Sequence, residues 1–287
     1  MIDLHLHSTY SDGSDRPAEL MRKAAQAGVT AAALTDHDTT DGVPEFAEAA
    51  EGTGVEAVPA IELSACYDGG SMHMLGYGID SGNDELREAV RRICEGRRER
   101  NETILDRLRE LGYLLEWDDV LAEAGGEVVG RPHFAQALIT RGYFKQKRPV
   151  FDRLLGRGQP AYAERFRFSP SRCIKLITRA GGAPVVAHPV SLRLPRGKLR
   201  DLLSSLKDLG LAGVEVFYPE HNERQVRVYR KLARELRLVM TGGSDYHGSF
   251  TPQLSIGRGF GDLHVPDSAL RQLRARMART RLPGRDG

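Results

Sequence analysis

Residues 2–35, IDLHLHSTYSDGSDRPAELMRKAAQAGVTAAALT, contain the reading on which the fold turns. IDLHLH (2–7) is a short apolar, β-rich run, PAELMRKAAQAG has the spacing of an amphipathic helix, and TAAALT (30–35) is a second β-rich run. A strand, a helix and a strand in succession describe a parallel crossover unit. The same alternation continues outward. Further strands are expected at VEAVPAIEL (55–63), SMHMLGYGI (71–79), PVVAHP (184–189), GVEVFY (213–218) and LVMTGG (238–243). Helical patterns lie between several of them, in EFAEAAEGTG, KLRDLLSSLKDLG and ERQVRVYRKLARELR. Seven such strands predict a closed α/β barrel with a parallel sheet.

The rhythm breaks between residues 80 and 170, where no β-rich run stands out and several helices end in the loop-like GRGQPAYAERFRFSPS. The expected organisation is a barrel built from residues 1–80 and 171–287. Residues 81–170 form an all-helical insertion on the rim of its active site, where connecting segments carry function. The LPGRDG tail reads as a frayed end.

Composition narrows the function classes. No run approaches the ~18 apolar residues that cross a membrane, and MIDLHLHSTYSDG has neither the charged nor the apolar part of a secretory signal. A cytoplasmic location is the expectation. Cys66, Cys94 and Cys173 are far apart, which argues against a zinc ribbon or a disulfide framework and reads as small buried hydrophobes. A net charge of +2 makes no global demand for nucleic acid. Basic residues do cluster in RRICEGRRER (91–100) and RQLRARMARTR, which read as solvated helix faces.

The nine histidines are not scattered at random. His5 and His7 are two apart in a strand, so both point to one face. His37 follows the second strand in LTDHD, Glu62 closes the third, His73 lies on the fourth and His188 ends the fifth. Asp245 and His247 follow the seventh in GGSDYHG, and Asp12 follows the first in YSDG. All but His73 fall near a C-terminal strand end or on the emerging first strand, the rim where barrel enzymes build their sites. Imidazole with carboxylate, and no thiolate, suits Mn, Fe or Zn. Six imidazoles and three carboxylates exceed one tetrahedral ion and fit two or three ions sharing a bridging carboxylate. Ions ~3.5–4 Å apart are the usual apparatus of phosphoryl hydrolysis. Their surplus positive charge favours a phosphate dianion over a neutral amide or ester.

The set DLHLHSTYSDG, LTDHD, Glu62, HMLGY, AHP and GSDYHG resembles the full motif series of the PHP (polymerase and histidinol phosphatase) superfamily. The match spans residues 1–80 and 184–250. VGRPHFAQALI (129–139) and QPAYA (159–163) resemble the insertion of the bacterial 3′,5′-nucleoside bisphosphate phosphatases, whose relatives also act as 5′→3′ exoribonucleases on short 5′-phosphorylated RNA. The resemblance implies a distorted seven-stranded barrel of PHP type and three ions, with manganese foremost and iron or zinc as alternatives. His5, His7 and Asp245 would hold the first ion, His73 and His188 the second with Glu62 bridging, and Asp12, His37 and His247 the third. Glu62, His188, Asp245 and His247 would be the catalytic set.

Arg131 is the expected grip on a substrate phosphate, since a guanidinium matches phosphate oxygens bidentately. His221, in FYPEHN, is a second candidate contact. His133 is either a further contact or a helix cap. Related sequences commonly place a basic residue before the proline of QPAYA; here it is Gln159, and Arg157 stands two positions earlier as a substitute. His264 lies outside any motif and reads as structural.

The implied reaction is hydrolysis of the 3′-phosphate of a nucleoside bisphosphate by in-line attack of a metal-bridging hydroxide, with trimming of short RNA as an extension. Histidinol phosphate or another small phosphomonoester is an alternative substrate, and a non-catalytic metal-bearing module is an alternative of another class.

Overall fold

The computed structural model describes residues 1–68, 71–124 and 128–281. Its seven strands are β1 (Ile2–Leu6), β2 (Ala31–Leu34), β3 (Glu56–Ala65), β4 (Met72–Tyr77), β5 (Ala183–Val186), β6 (Gly213–Phe217) and β7 (Val239–Gly242), and they form one sheet in chain order. Helices α1 (Pro17–Gln26) and α2 (Val43–Ala49) connect the first three strands. Then come α3 (Asp84–Glu110), α4 (Trp117–Leu121), α5 (Arg131–Thr140), α6 (Lys147–Val150), α7 (Pro170–Arg179), α8 (Arg196–Asp208), α9 (Glu223–Glu235) and α10 (Ser268–Arg281).

Local chemistry explains the element ends. Pro17 opens α1 at a position where its missing N–H costs nothing, and Leu20, Met21 and Ala24 form the buried face. Gly28, at φ 73°, ends the same helix in the left-handed conformation that only glycine adopts freely. Ser169 accepts the Arg172 N–H to start α7, and Asn222 and Gln225 cap α9 reciprocally.

The sheet departs from an all-parallel barrel. β1–β2, β2–β3, β5–β6 and β6–β7 are parallel, but β4 runs antiparallel to both β3 and β5. Only residues 66–71 separate β3 from β4, and a connection that short joins only antiparallel strands. The reversal explains His73: it sits at the start of β4, opposite Ser64 near the end of β3. It therefore reaches the same rim as the ligands at the ends of the parallel strands.

β1 and β7 meet through a seam of backbone hydrogen bonds. The His7 N–H donates to the Tyr246 carbonyl (3.0 Å), and the Asp245 N–H donates to the His5 carbonyl (2.9 Å). Tyr77 reaches from β4 to donate its hydroxyl to the Leu4 carbonyl at 3.0 Å. Ile2, Leu4, Val58, Ala60, Leu75, Tyr77 and Val185 pack in one buried cluster with Leu270 and Leu273 of α10.

The chain divides into two compact units, one of Met1–Val90 with the segment from Phe168 onward, the other Arg91–Arg167. The first boundary falls inside α3, a little beyond the break in rhythm drawn at residue 81. The smaller unit is helical among its described residues and has its own core of Ile104, Leu108, Val120, Phe134, Leu138 and Leu155. α6 passes directly into a π-helical turn, Phe151–Leu155.

Gly243 is the residue that lets the seam close. A Cβ there would lie 2.4 Å from the His5 nitrogen and 2.4 Å from its Cβ. Gly243→Ala is expected to destabilise the metal-free protein by about 1–3 kcal/mol through overpacking, read as a lower urea midpoint at an unchanged m-value. An unshifted midpoint would show that the seam can open without cost.

Candidate metal centre

The nine residues expected as ligands converge on one place, and Glu62 is its hub. On β3 the face carrying Val58 and Ala60 carries Glu62 two residues later, fully buried. Its Oε1 lies 3.0 Å from His73 Nδ1 and 3.0 Å from His188 Nε2. Its Oε2 lies 3.2 Å from each of His5 Nε2, His7 Nε2 and His37 Nδ1. Two oxygens of one carboxylate thus face five imidazoles, the spacing expected of ligands that share cations.

Asp245 Oδ1 is 3.2 Å from His5 Nε2 and 3.1 Å from His7 Nε2. Asp12 Oδ1 is 3.2 Å from His247 Nε2, and Asp12 Oδ2 is 3.8 Å from His37 Nε2. Three groups able to hold an ion result: His5, His7, Glu62 and Asp245; His7, Asp12, His37 and His247; and His37, Glu62 and His73. They share members, as a polynuclear site requires. The donor set contains only imidazole nitrogen and carboxylate oxygen, which suits borderline and hard divalent ions.

Outer contacts fix which nitrogen several of the rings offer. His247 Nδ1 is held by the Asp245 carbonyl (2.8 Å), leaving Nε2 for Asp12. His188 Nδ1 lies 3.1 Å from the Ser191 hydroxyl, and His73 Nε2 lies 3.2 Å from the Ser71 hydroxyl. Tyr218 donates its hydroxyl to Asp245 Oδ2 (2.9 Å). Asp245 itself is at φ 52°, a left-handed conformation that aspartate tolerates.

Electrostatics in the metal-free site follow from burial set against opposite charge. Burial alone pushes the Glu62 carboxyl up, but His37, His5 and His73, with the His188 hydrogen bond, hold it well below the usual carboxylate range. Asp245 is treated alike: burial raises it, and His5, His7 and His247 bring it well below. Burial pushes His7 down, yet hydrogen bonds to Asp245 and Glu62 and their charges carry it up to about 10. His37 goes the other way, to about 3, because burial and the neighbouring His7 and His73 outweigh Glu62 and Asp12.

The residues expected to touch substrate are placed differently. Arg131 opens α5 in the helical unit, donates to the Leu155 carbonyl at the π-helical turn (3.1 Å) and lies 5.0 Å from the Tyr162 ring centroid. His133 Nδ1 accepts the Gly130 N–H (3.1 Å), which caps α5. Arg157 is exposed and 3.8 Å from Glu164. His221 is buried in the barrel unit, its Nδ1–H donating to the Val216 carbonyl (2.9 Å), and burial lowers its pKa. A neutral imidazole tied in that way presents a lone pair at Nε2; to grip a phosphate it must first gain a proton. His264 lines a cavity of about 690 Å³ with His221 and Tyr218.

Several functional positions escaped the sequence reading. Glu215, in the middle of β6, is fully buried and touches both His5 and the His188 backbone. Its signal was a lone carboxylate in an apolar run. Asp36 accepts the Ser8 N–H (2.7 Å) and the hydroxyls of Ser8 and Ser11 (2.6 Å each), pinning the loop that carries Asp12. Arg97 and Arg100, assigned to a solvated face, are only 7% exposed each.

An α/β barrel with a buried cluster of overlapping histidine–carboxylate groups at its rim fits a metal-dependent hydrolase, and similarity to known proteins makes the class that of the phosphoesterases. The chain belongs to the PHP domain family, whose model matches residues 3–152. It is 36% identical over 254 residues to a phosphoribosyl 1,2-cyclic phosphate 1,2-diphosphodiesterase of Eggerthella lenta, covering 86% of this chain and 94% of that one. It is 32% identical to a 3′,5′-nucleoside bisphosphate phosphatase of Chromobacterium violaceum, covering 86% and 87%. A solved structure from Bifidobacterium adolescentis, described as a metal-dependent phosphoesterase, is similar with a TM-score of 0.80, 30% identity and coverage of 96% and 95%. Among the described residues no helix is long and apolar enough to cross a membrane.

A histidine whose pKa is raised keeps its proton through neutral pH and loses it only as pH climbs through the folded value. A cation needs that lone pair, so it must displace the proton. Metal uptake at pH 7.5 is expected to release protons into a weakly buffered solution. Apparent affinity should increase as pH is raised from 6.5, the ordinary histidine pKa, towards about 10, that of His7. A flat affinity profile over that window would contradict the assignment of His7 as a ligand.

Proposed function

We propose that this chain is a cytoplasmic phosphatase that removes the 3′-phosphate of nucleoside 3′,5′-bisphosphates with two or three divalent ions, manganese foremost. The observation that carries the reading is the Glu62 hub with its three overlapping ligand groups. The ion assignment is the one the resemblance implies: His5, His7 and Asp245; His73 and His188 with Glu62 bridging; Asp12, His37 and His247. When bound, the ions polarise the phosphoryl oxygens and lower the pKa of water so that it attacks near neutral pH.

The chain's own residues set the stage for that chemistry. Glu62 stays ionised despite full burial and keeps five imidazoles converged on it. Asp245, oriented by the Tyr218 hydroxyl, brings a second carboxylate to the same Nε2 atoms of His5 and His7 that Glu62 meets. His247 and Asp12 flank the more open edge, where Asp12 is 36% exposed and a substrate phosphate can enter.

The helical unit gathers basic side chains of its own. The charges acting most strongly on Arg100 are those of Arg165, Arg97 and Arg131. Burial, followed by these like charges, pushes Arg100 down to about 9, still protonated at neutral pH. Four guanidiniums gathered in this way are stabilised by an incoming phosphate. The names of the two curated relatives both describe ribose compounds bearing phosphate. Trimming of short 5′-phosphorylated RNA is a second reading, favoured by the exposed arginines of α3 such as Arg98, 75% exposed. Its affinity for RNA should then fall with added salt.

The first test is phosphate release by the manganese-loaded protein from adenosine 3′,5′-bisphosphate beside adenosine 3′-monophosphate, histidinol phosphate and phosphoribosyl 1,2-cyclic phosphate. The bisphosphate should be preferred. Preference for the cyclic phosphate or histidinol phosphate would keep the hydrolase and discard the nucleotide. Asp245→Ala should abolish turnover in a folded protein.

A further inference from the structure

Among the described residues, Glu215 is the one fully buried carboxylate in the centre that the motifs quoted above do not contain. It lies on β6 between Val214 and Val216, with no exposure to solvent. Its two oxygens are used separately. Oε1 is 2.9 Å from His5 Nδ1, and Oε2 accepts the backbone N–H of His188 at 2.7 Å. β6 is separated from β1 by β7, so the contact to His5 reaches past the strand between them.

The far sides of those two histidines point at Glu62. His5 Nε2 is 3.2 Å from Glu62 Oε2, and His188 Nε2 is 3.0 Å from Glu62 Oε1. Glu215, His5, Glu62 and His188 therefore close a ring of polar contacts, with one carboxylate behind the histidines and the other in front. We infer that Glu215 is a positioning residue that sets two candidate metal ligands at once, and so couples the sites on the two oxygens of Glu62. The inference rests on the metal-centre reading above.

Three physical effects support it. A carboxylate at Nδ1 keeps the His5 proton on that nitrogen, so the Nε2 lone pair faces the cluster. The same contact raises the basicity of the ring as a donor. At His188 the effect is on the backbone: the residue lies beyond the end of β5 and before the turn Pro189–Leu192, where its buried N–H needs an acceptor. Glu215 supplies it and fixes where the side chain starts. The group of His7, Asp12, His37 and His247 has no contact of this kind among the described residues, so it should be spared.

Glu215→Gln has nearly the same volume, but one of its two terminal atoms is a donor and the charge is gone. Metal-free wild type and variant would be compared by circular dichroism and thermal melting, then titrated with Mn²⁺ by equilibrium dialysis and with Co²⁺ by visible absorption. The expected result is a folded variant in which part of the bound metal weakens about 10–100-fold, the usual effect of removing such a partner. A remaining part should keep its wild-type affinity, and the Co²⁺ bands of the weakened part should change. Wild-type affinity for every equivalent, in a folded variant, overturns the inference. Loss of metal by the wild type as well would instead overturn the metal-centre reading. Should the variant not fold, nitrogen-15 NMR of the metal-loaded wild type decides, with the His5 ring assigned by its absence in His5→Gln. A proton on Nδ1 and a metal-shifted Nε2 support Glu215 as positioner; a bare Nδ1 overturns it.

Discussion

Everything in the barrel rim depends on keeping an ionised carboxylate, Glu62, out of contact with water. An isolated buried charge is expensive enough that the group would normally neutralise itself. Five imidazoles on two oxygens reverse that outcome, and the same arrangement becomes a shared ligand when cations replace protons. The centre is thus a competition between protons and metal for a fixed set of lone pairs. In the metal-free protein, protons on His5 and His7 balance the buried carboxylates.

The architecture serves this constraint in two ways. The antiparallel β4 turns His73 to the rim reached by the parallel strands, so one side chain from the middle of the chain joins ligands from both ends. The seam of β1 and β7 passes through His5, His7, Asp245 and Tyr246, so closing the barrel and assembling the cluster are the same event. Gly243 permits the approach by having no Cβ. Fold stability and site geometry are for that reason difficult to vary independently near the seam.

Behind the candidate ligands lies a further layer that ties several of the rings on the outer nitrogen. Carboxylate, carbonyl and hydroxyl partners appear at His5, His247 and His188. Such contacts remove rotational freedom before any ion arrives, which lowers the ordering cost of binding. The helical unit solves a different problem. Arg97 and Arg100 are buried there, and the like charges of Arg165, Arg97 and Arg131 act on Arg100.

Much of this was legible in the sequence, because strand periodicity and strand ends translate directly into a shared rim. His5, His7, His37, Glu62, His188, Asp245 and His247 were recognisable as candidate ligands from local position alone, and seven strands were countable. The direction of β4, the role of Glu215 and the burial of Arg97 and Arg100 were not. A strand's direction depends on what connects it and what it pairs with. The face on which Glu215 points depends on a partner 210 residues away. Arginines in a helix look solvated until the surrounding helices decide otherwise. Local sequence determined which groups could bind metal and roughly where each element lies. Only tertiary packing decided which nitrogen each ring offers and which carboxylate stands behind it, since those choices are made by residues remote in the chain and adjacent only after folding.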